Sequence, residues 1–222
     1  MFLSFFLLKR TMKPVLKLFH NEDEIEVGID EAGRGPLIGR VYVAGVILPK
    51  EFPDDTYLQI KDSKKLSKKK RAILRKYIEE HALDYSVQWA DENQIDNQNI
   101  LHATLNTMHK VLDNLKTKPE NILVDGNAFN IYRNCGEVIP HMCVRGGDNK
   151  YLCIAAASIL AKEYHDEYMR KLVEDNPDLE VYGLKTNVGY GTKAHMEAIK
   201  KYGVSKYHRM SFKPCCYHKK PE

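Results

Sequence analysis

Ile25–Leu48 reads IEVGIDEAGRGPLIGRVYVAGVIL, and this stretch decides the fold. Ile25–Asp30 alternates apolar with small or polar residues, as a short strand does, and runs into the acidic pair Asp30-Glu31. Arg40–Leu48 is rich in β-branched residues and reads as a second strand. Between them, Glu31–Gly39 holds three glycines and a proline in nine residues. Such a segment needs unusual backbone angles, and the two strands are predicted to form a hairpin around it.

Working outward, Ser67 is a suitable N-cap for a basic helix over residues 68–82. Residues 85–90 read as a strand. Leu101, Leu105, Met108, Leu112 and Leu115 share one helical face, which predicts an amphipathic helix over 97–115. Asn121–Asp125, NILVD, is a short apolar run closed by an acid and Gly126, as expected of a buried strand. Another strand is expected within 137–144. Residues 151–174 carry the small-residue run CIAAASILAK and read as a helix packed closely on a neighbour. Thr192 caps a last helix that Gly203 ends. Strands and helices in this order predict one α/β domain with a helical C-terminal portion.

The whole chain has 222 residues, 43% hydrophobic and 29% charged, which excludes disordered, fibrous and membrane-spanning classes. Residues 1–20 are set aside as an N-terminal extension, expected to be disordered, and 21–222 as the folded domain. Met1–Leu8, MFLSFFLL, is too short to span a bilayer. It lacks the basic start and small-residue cleavage site of a signal peptide. Five cysteines without a C-x-x-C pair suit reduced thiols, hence a cytoplasmic location.

Four acids stand out by position. Asp30 and Glu31 end the first strand, Asp125 ends NILVD, and Asp148 follows Gly146-Gly147 at the start of the small-residue helix. Taken singly, each is only a charged residue at a strand end. If they converge, their mutual repulsion calls for a cation, and hard oxygen ligands suit Mg²⁺ or Mn²⁺. Two such ions could clamp a phosphodiester. Gly33-Arg34-Gly35 follows directly, with backbone open to close approach and a guanidinium suited to phosphate. No P-loop and no G-x-S-x-G elbow occurs.

The net charge is only +4, but the basic residues are clustered. Lys61–Lys76 holds nine Lys or Arg against one acid. A second basic region, 185–220, is interleaved with Tyr190, Tyr202, Tyr207 and Tyr217. Both fit a nucleic-acid surface, and both fit solvated helix faces.

Five motifs in order carry a resemblance: GIDEAGRGPLIG (28–39), DSKKLSKKK (62–70), LVDGN (123–127), GDNKYLCIAAASILAK (147–162) and GYGTKAH (189–195). Tyr202-Gly203 and HRMSFK (208–213) continue it. Together they resemble type 2 ribonuclease H, ribonuclease HII, over roughly residues 25–214. The resemblance implies a ribonuclease H-like fold, with a central mixed sheet flanked by helices and a helical C-terminal part. It implies an endonuclease that cuts the RNA strand of RNA–DNA hybrids and single ribonucleotides embedded in duplex DNA. The expected ends are 5′-phosphate and 3′-hydroxyl, and the expected roles are ribonucleotide excision and RNA primer removal. Asp30, Glu31, Asp125 and Asp148 match the catalytic acids that hold two Mg²⁺ or Mn²⁺ ions. Gly33, Arg34 and Gly35 match the motif that senses the 2′-hydroxyl, Ser63 and Lys64 a phosphate contact, and Tyr190 the sensor of the RNA–DNA junction. A monomer is expected, with no membrane association, and with about 24 residues before the first strand the extra N-terminal domain of type 3 relatives is not expected.

The chain departs from the family pattern at Arg40 (commonly proline), Gly146 (commonly lysine), Thr186-Asn187-Val188 (commonly basic), Cys153 (commonly serine) and His165 (commonly arginine). Two other readings are a metal nuclease of transposase or junction-resolvase type, and a non-catalytic nucleic-acid-binding module. The retained acids speak against the latter, because bare carboxylates repel phosphate.

Overall fold

The quoted stretch forms the expected hairpin in a computed structural model that describes residues 16–219. Strand β1 (Glu26–Ala32) pairs antiparallel with β2 (Val41–Ile47), Val27 opposite Ile47 and Ala32 opposite Tyr42. Helix α1 (Lys68–His81) follows, with the Ser67 hydroxyl accepting from the Lys70 N–H, as its sequence predicts. Strand β3 (Asp84–Ala90) then pairs antiparallel with the far edge of β2. After helix α2 (Glu92–Asn114), β4 (Asn121–Asp125) lies parallel to the other side of β1. Strands β5 (Tyr132–Asn134) and β6 (Glu137–Ile139) make a separate small hairpin. Strand β7 (His141–Val144) lies parallel to β4. Among the described residues the main sheet is therefore mixed, in the order β3-β2-β1-β4-β7. Helices α3 (Leu152–Asp175), α4 (Leu184–Asn187) and α5 (Lys193–Tyr202) complete the chain.

Side-chain alternation assigns the two sheet faces. Val27, Ile29, Val43, Ile47, Ile122 and Val124 pack with Leu105, Met108, Val111 and Leu112 of α2. Ala44, Val46 and Leu123 pack with α1 and α3 on the opposite face. The small residues of α3 explain themselves at Gly28. A Cβ there would stand 2.3 Å from the Cys153 carbonyl carbon and 2.4 Å from the Ile154 nitrogen, so the α3 backbone rests on bare β1 backbone.

Three expectations need adjustment. Residues 1–15 lie outside the described residues, but the chain is already docked before residue 21. The Lys17 N–H donates to the Lys150 carbonyl at 2.8 Å, and the Lys17 carbonyl accepts from the Leu152 N–H at 2.9 Å. The Glu26 carboxylate then accepts from the His20 and Asn21 N–H groups, each at 2.8 Å. The helix expected over 97–115 starts at Glu92. Asp91 and Gln94 form a capping box, and Asn99, with φ of 62°, restarts the helix by capping Leu101 and His102. The face predicted from leucine spacing therefore belongs to the second segment, and Leu101, one turn too early, is exposed. Finally, the strand within 137–144 is two strands in two sheets. Pro140, which has no N–H for a ladder, separates them.

Among the described residues no helix is long and apolar enough to cross a membrane.

Gly28→Ala is expected to destabilise the fold by about 3 kcal/mol or more, because overpacking here meets backbone on both elements. Chemical denaturation would measure it. A loss under about 0.5 kcal/mol would mean that α3 can lift off the sheet at little cost.

Candidate active site

The site grows from the β1–β4 register. Ile29 lies opposite Val124 in the parallel pair, which sets Asp30 beside Asp125 at the strand ends. Period-two alternation sends both toward the face that carries α3, as it does Gly28 and Leu123. Asp30 is 6% exposed. Burial, together with the negative charges of Glu31 and Asp125, raises its carboxyl well above the usual range. Ser158 of α3 and the Glu31 N–H, at 2.7 Å, partly offset this. The Ser158 hydroxyl in turn lies 3.0 Å from that of Ser63. Burial also raises Glu31, against the opposing pull of Arg34, whose guanidinium lies 3.2 Å away.

Asp125 accepts from the Gly147 N–H at 2.6 Å, which ties the end of β4 to the turn entering α3. Gly146 enters that turn with φ of 62°. Asp148 sits in the same turn, buried, its carboxylate accepting from the Asn149 amide at 2.8 Å. Burial raises its pKa, and the charges of Asp62 and Asp125 push in the same direction. Asp62, the first residue of the DSKKLSKKK motif, is a fifth acid of this neighbourhood. It caps the short turn Ser63–Lys65 through the Lys64 N–H, at 2.9 Å, and so places Ser63 and Lys64.

A cleft of about 430 Å³ gathers most of the expected residues: Asp30, Glu31, Asp125, Gly33, Arg34, Gly35, Ser63, Lys64 and Tyr190. Ser158 and Lys162 of α3 join them. Asp148 does not line this cleft; it adjoins it through Asp125. Among the described residues no three His, Cys, Asp or Glu side chains already stand in a ligand shell. The acids are close enough to oppose one another's ionisation without converging on one point. That donor set, all hard oxygen with charge in excess, fits Mg²⁺ or Mn²⁺ better than a soft metal.

The glycine turn is held from behind by a residue to which the sequence reading gave no role. Arg209 is fully buried and donates to the carbonyls of Gly39 (2.8 Å), Arg34 (2.9 Å) and Gly33 (2.7 Å). It looked like one more cation in a basic tract, and only the fold shows it turned inward. His165 supports the same turn: a Cβ on Gly33 would meet its ring at 2.4 Å. Tyr190 lies over Gly35, where a Cβ would come within 3.1 Å of its ring. Gly189 and Leu37 tie the two loops together through a backbone bond of 2.8 Å.

The basic tracts divide. Arg71 is buried and paired with Glu163 (2.7 Å) and Asp166 (3.4 Å), and Arg75 with Glu79 and Glu167. Lys64, Lys65, Lys68 and Lys69 remain exposed. Arg40 stacks 3.5 Å from the Trp89 ring and 4.7 Å from that of Tyr168.

A mixed sheet with carboxylates at adjacent strand ends beside a helix defines the ribonuclease H-like class of nucleases. A ribonuclease H2 from Pyrococcus horikoshii has this architecture, with a TM-score of 0.71 at 25% identity over 86% of this chain and 95% of that one. The sequence model of the family described as ribonuclease HII matches residues 27–215. A ribonuclease HII of Christiangramia forsetii is 50% identical, covering 88% of this chain and 93% of its own. Another, of Bacteroides thetaiotaomicron, is 48% identical over 86% and 91%. The chain belongs to the ribonuclease HII family. It is an endonuclease of the ribonuclease H type, and the activity of its family is directed at RNA–DNA hybrids.

The raised Asp30 carboxyl has a stability consequence. A group that binds protons more tightly in the fold than in the unfolded chain favours the fold while protonated. That contribution is lost as pH rises through the raised value. In the presence of a chelator, Asp30→Asn is therefore expected to melt higher than the parent at about pH 7.5, the gap closing as pH falls toward about 4.5. A gap independent of pH would show that Asp30 is not under this pressure.

Proposed function

We propose that the cleft hydrolyses the RNA strand of RNA–DNA hybrids and cuts at single ribonucleotides embedded in duplex DNA, leaving 5′-phosphate and 3′-hydroxyl ends. The observation that carries this reading is the meeting of three mutually repelling carboxylates with a glycine-rich turn, a lysine and an exposed tyrosine in one cleft. Asp30, Glu31, Asp125 and Asp148 hold two divalent ions, Mg²⁺ or Mn²⁺. Bound there, these ions supply charge neutralisation at the scissile phosphate and activation of the attacking water.

The chain's own groups do the rest. Lys64 and Ser63 receive a phosphate in the same cleft as Arg34. Ribose differs from deoxyribose only at the 2′-hydroxyl, so a close backbone is the economical way to feel it. Gly33-Arg34-Gly35 offers that backbone, with its carbonyls fixed by Arg209. Tyr190, 45% exposed, stacks on the deoxyribose that follows the ribonucleotide and excludes a further hydroxyl there. This chemistry suits a single-domain monomer acting in ribonucleotide excision and primer removal in the cytoplasm.

Asp125→Asn replaces a charged ligand by a neutral one and is expected to slow cleavage at least about 100-fold, a few kcal/mol of transition-state stabilisation. The assay is cutting of duplex DNA with one embedded ribonucleotide, with and without Mg²⁺. Near-normal turnover of the variant, or cutting without divalent metal, would overturn the metal-acid reading.

Tyr190→Ala is expected to lose about 1–3 kcal/mol of stacking. The loss should fall on the embedded ribonucleotide far more than on a continuous RNA–DNA hybrid. Equal loss on both substrates, with a lowered melting temperature, would make Tyr190 a structural residue.

A further inference from the structure

His195 and His208 are both fully buried, outside the acidic cleft, and meet Nε2 to Nε2 at 3.1 Å. Two buried rings in that contact need one donor and one acceptor. The Ser205 N–H donates to His208 Nδ1 at 2.9 Å, so that nitrogen carries no proton. The His208 proton then sits on Nε2 and is donated to His195 Nε2. This leaves the His195 proton on Nδ1, which lies 3.1 Å from the Tyr190 carbonyl oxygen. One backbone N–H thus fixes both tautomers, and the chain of bonds runs one way, from Ser205 to Tyr190. The Thr192 N–H gives the same carbonyl a second bond, at 2.8 Å.

The surroundings keep both rings uncharged. Tyr182 packs on them, its ring 4.7 Å from His208 and 5.6 Å from His195, and its hydroxyl is engaged by the Gly203 carbonyl. The Ser205 hydroxyl also lies 2.9 Å from His208 Nδ1. His218 is a further titratable group near His208, and as a cation it would oppose protonation. No carboxylate among the described residues acts on either ring. Burial accordingly lowers both, His208 to about 3.

We propose that His195 and His208 are positioning residues, a one-directional chain of two neutral imidazoles that sets the Tyr190 peptide and so the stance of its ring over Gly35. The inference rests on the reading of Tyr190 as junction sensor. The sequence motifs GYGTKAH and HRMSFK contribute one ring each, although neither ring has a place in the chemistry of the acids. Their separation in the chain is bridged by α5 and Gly203, which return the second ring beneath the turn that holds Tyr190. A serine or amide could satisfy one of these partners; a rigid ring with a donor and an acceptor at opposite edges satisfies both across a buried gap.

Two measurements test it on the full chain. Nitrogen-15 NMR of the imidazoles at about pH 7.5 should show two neutral rings, His195 protonated at Nδ1 and His208 at Nε2. A charged ring or the opposite tautomers would overturn the relay without any substitution. The second measurement is the ratio of cleavage rates on embedded-ribonucleotide DNA and on continuous hybrid. His195→Gln can still accept from His208 but cannot reach the Tyr190 carbonyl, and should lower this ratio by about tenfold, the worth of one hydrogen bond. His195→Asn restores a donor near the Nδ1 position and should recover most of the ratio. A purely structural role would lower melting temperature in both variants and leave the ratio alone, which would overturn the proposal. Tyr190→Ala, measured in parallel, separates the two failures. If its ratio is unchanged, the sensor reading falls, and the proposal with it. If its ratio drops while that of His195→Gln does not, the relay alone falls.

Discussion

The approach of α3 to β1 at Gly28 is the constraint on which the rest depends. Helix backbone against strand backbone is possible only where the strand carries no side chain and the helix only small ones. At that spacing Ser158 comes down beside Asp30 two residues along the strand. It also forces Asp30 into a buried setting in which a carboxylate would otherwise not be kept. The burial that seats the helix is therefore the burial that loads the site with unfavourable charge. A divalent cation among these acids would relieve it, and without one the fold keeps them together at some expense of its own stability.

Around this centre the cleft is assembled from pieces that stabilise one another indirectly. Asp62 spends its carboxylate on the turn that presents Lys64, and Asn149 bonds to both Asp62 and Asp148. Arg209 gives up water to hold three carbonyls of the glycine turn. Burial lowers its pKa to about 10, so it is still a cation at neutral pH. Its guanidinium hydrogen bonds go to backbone carbonyls, with no carboxylate of the cleft among its partners. His165, buried against Gly33, leaves its Nε2 without a hydrogen-bond partner among the described residues. At this position the chain thus supports the turn by ring packing.

Much of the fold was legible because local rules decide it. The alternation in Ile25–Asp30, the β-branched run after Gly39, and the caps at Ser67 and Thr192 each act within a few residues and reappear as written. The small-residue run in 153–162 announced a close packing without naming its partner. Where local signals compete, the reading slipped. Asn99 interrupts an otherwise periodic helix, and Pro140 divides an otherwise plausible strand.

The sequence by itself determined the family and singled out the candidate acids. Asp30, Glu31, Asp125 and Asp148 stand out as candidates because acids at strand ends and glycine turns are positional signals, and five motifs in order point to one family. The direction in which a long polar side chain points is not a positional signal. Lys64 and Arg71 stand in one basic run, yet one is exposed at the cleft and the other is buried in an ion pair with α3. Arg209, His195 and His208 look like surface residues of a basic tail, and tertiary contacts turn all three inward. Tertiary structure decided these because each burial is made good by partners that residue type and spacing do not announce: carbonyls some 170 residues away for Arg209, and for the histidines each other and the Tyr190 carbonyl. The partners of Arg209 exist only once the glycine turn after β1 has met the C-terminal segment, and those of the histidines only once α5 has folded the chain back on the Tyr190 turn.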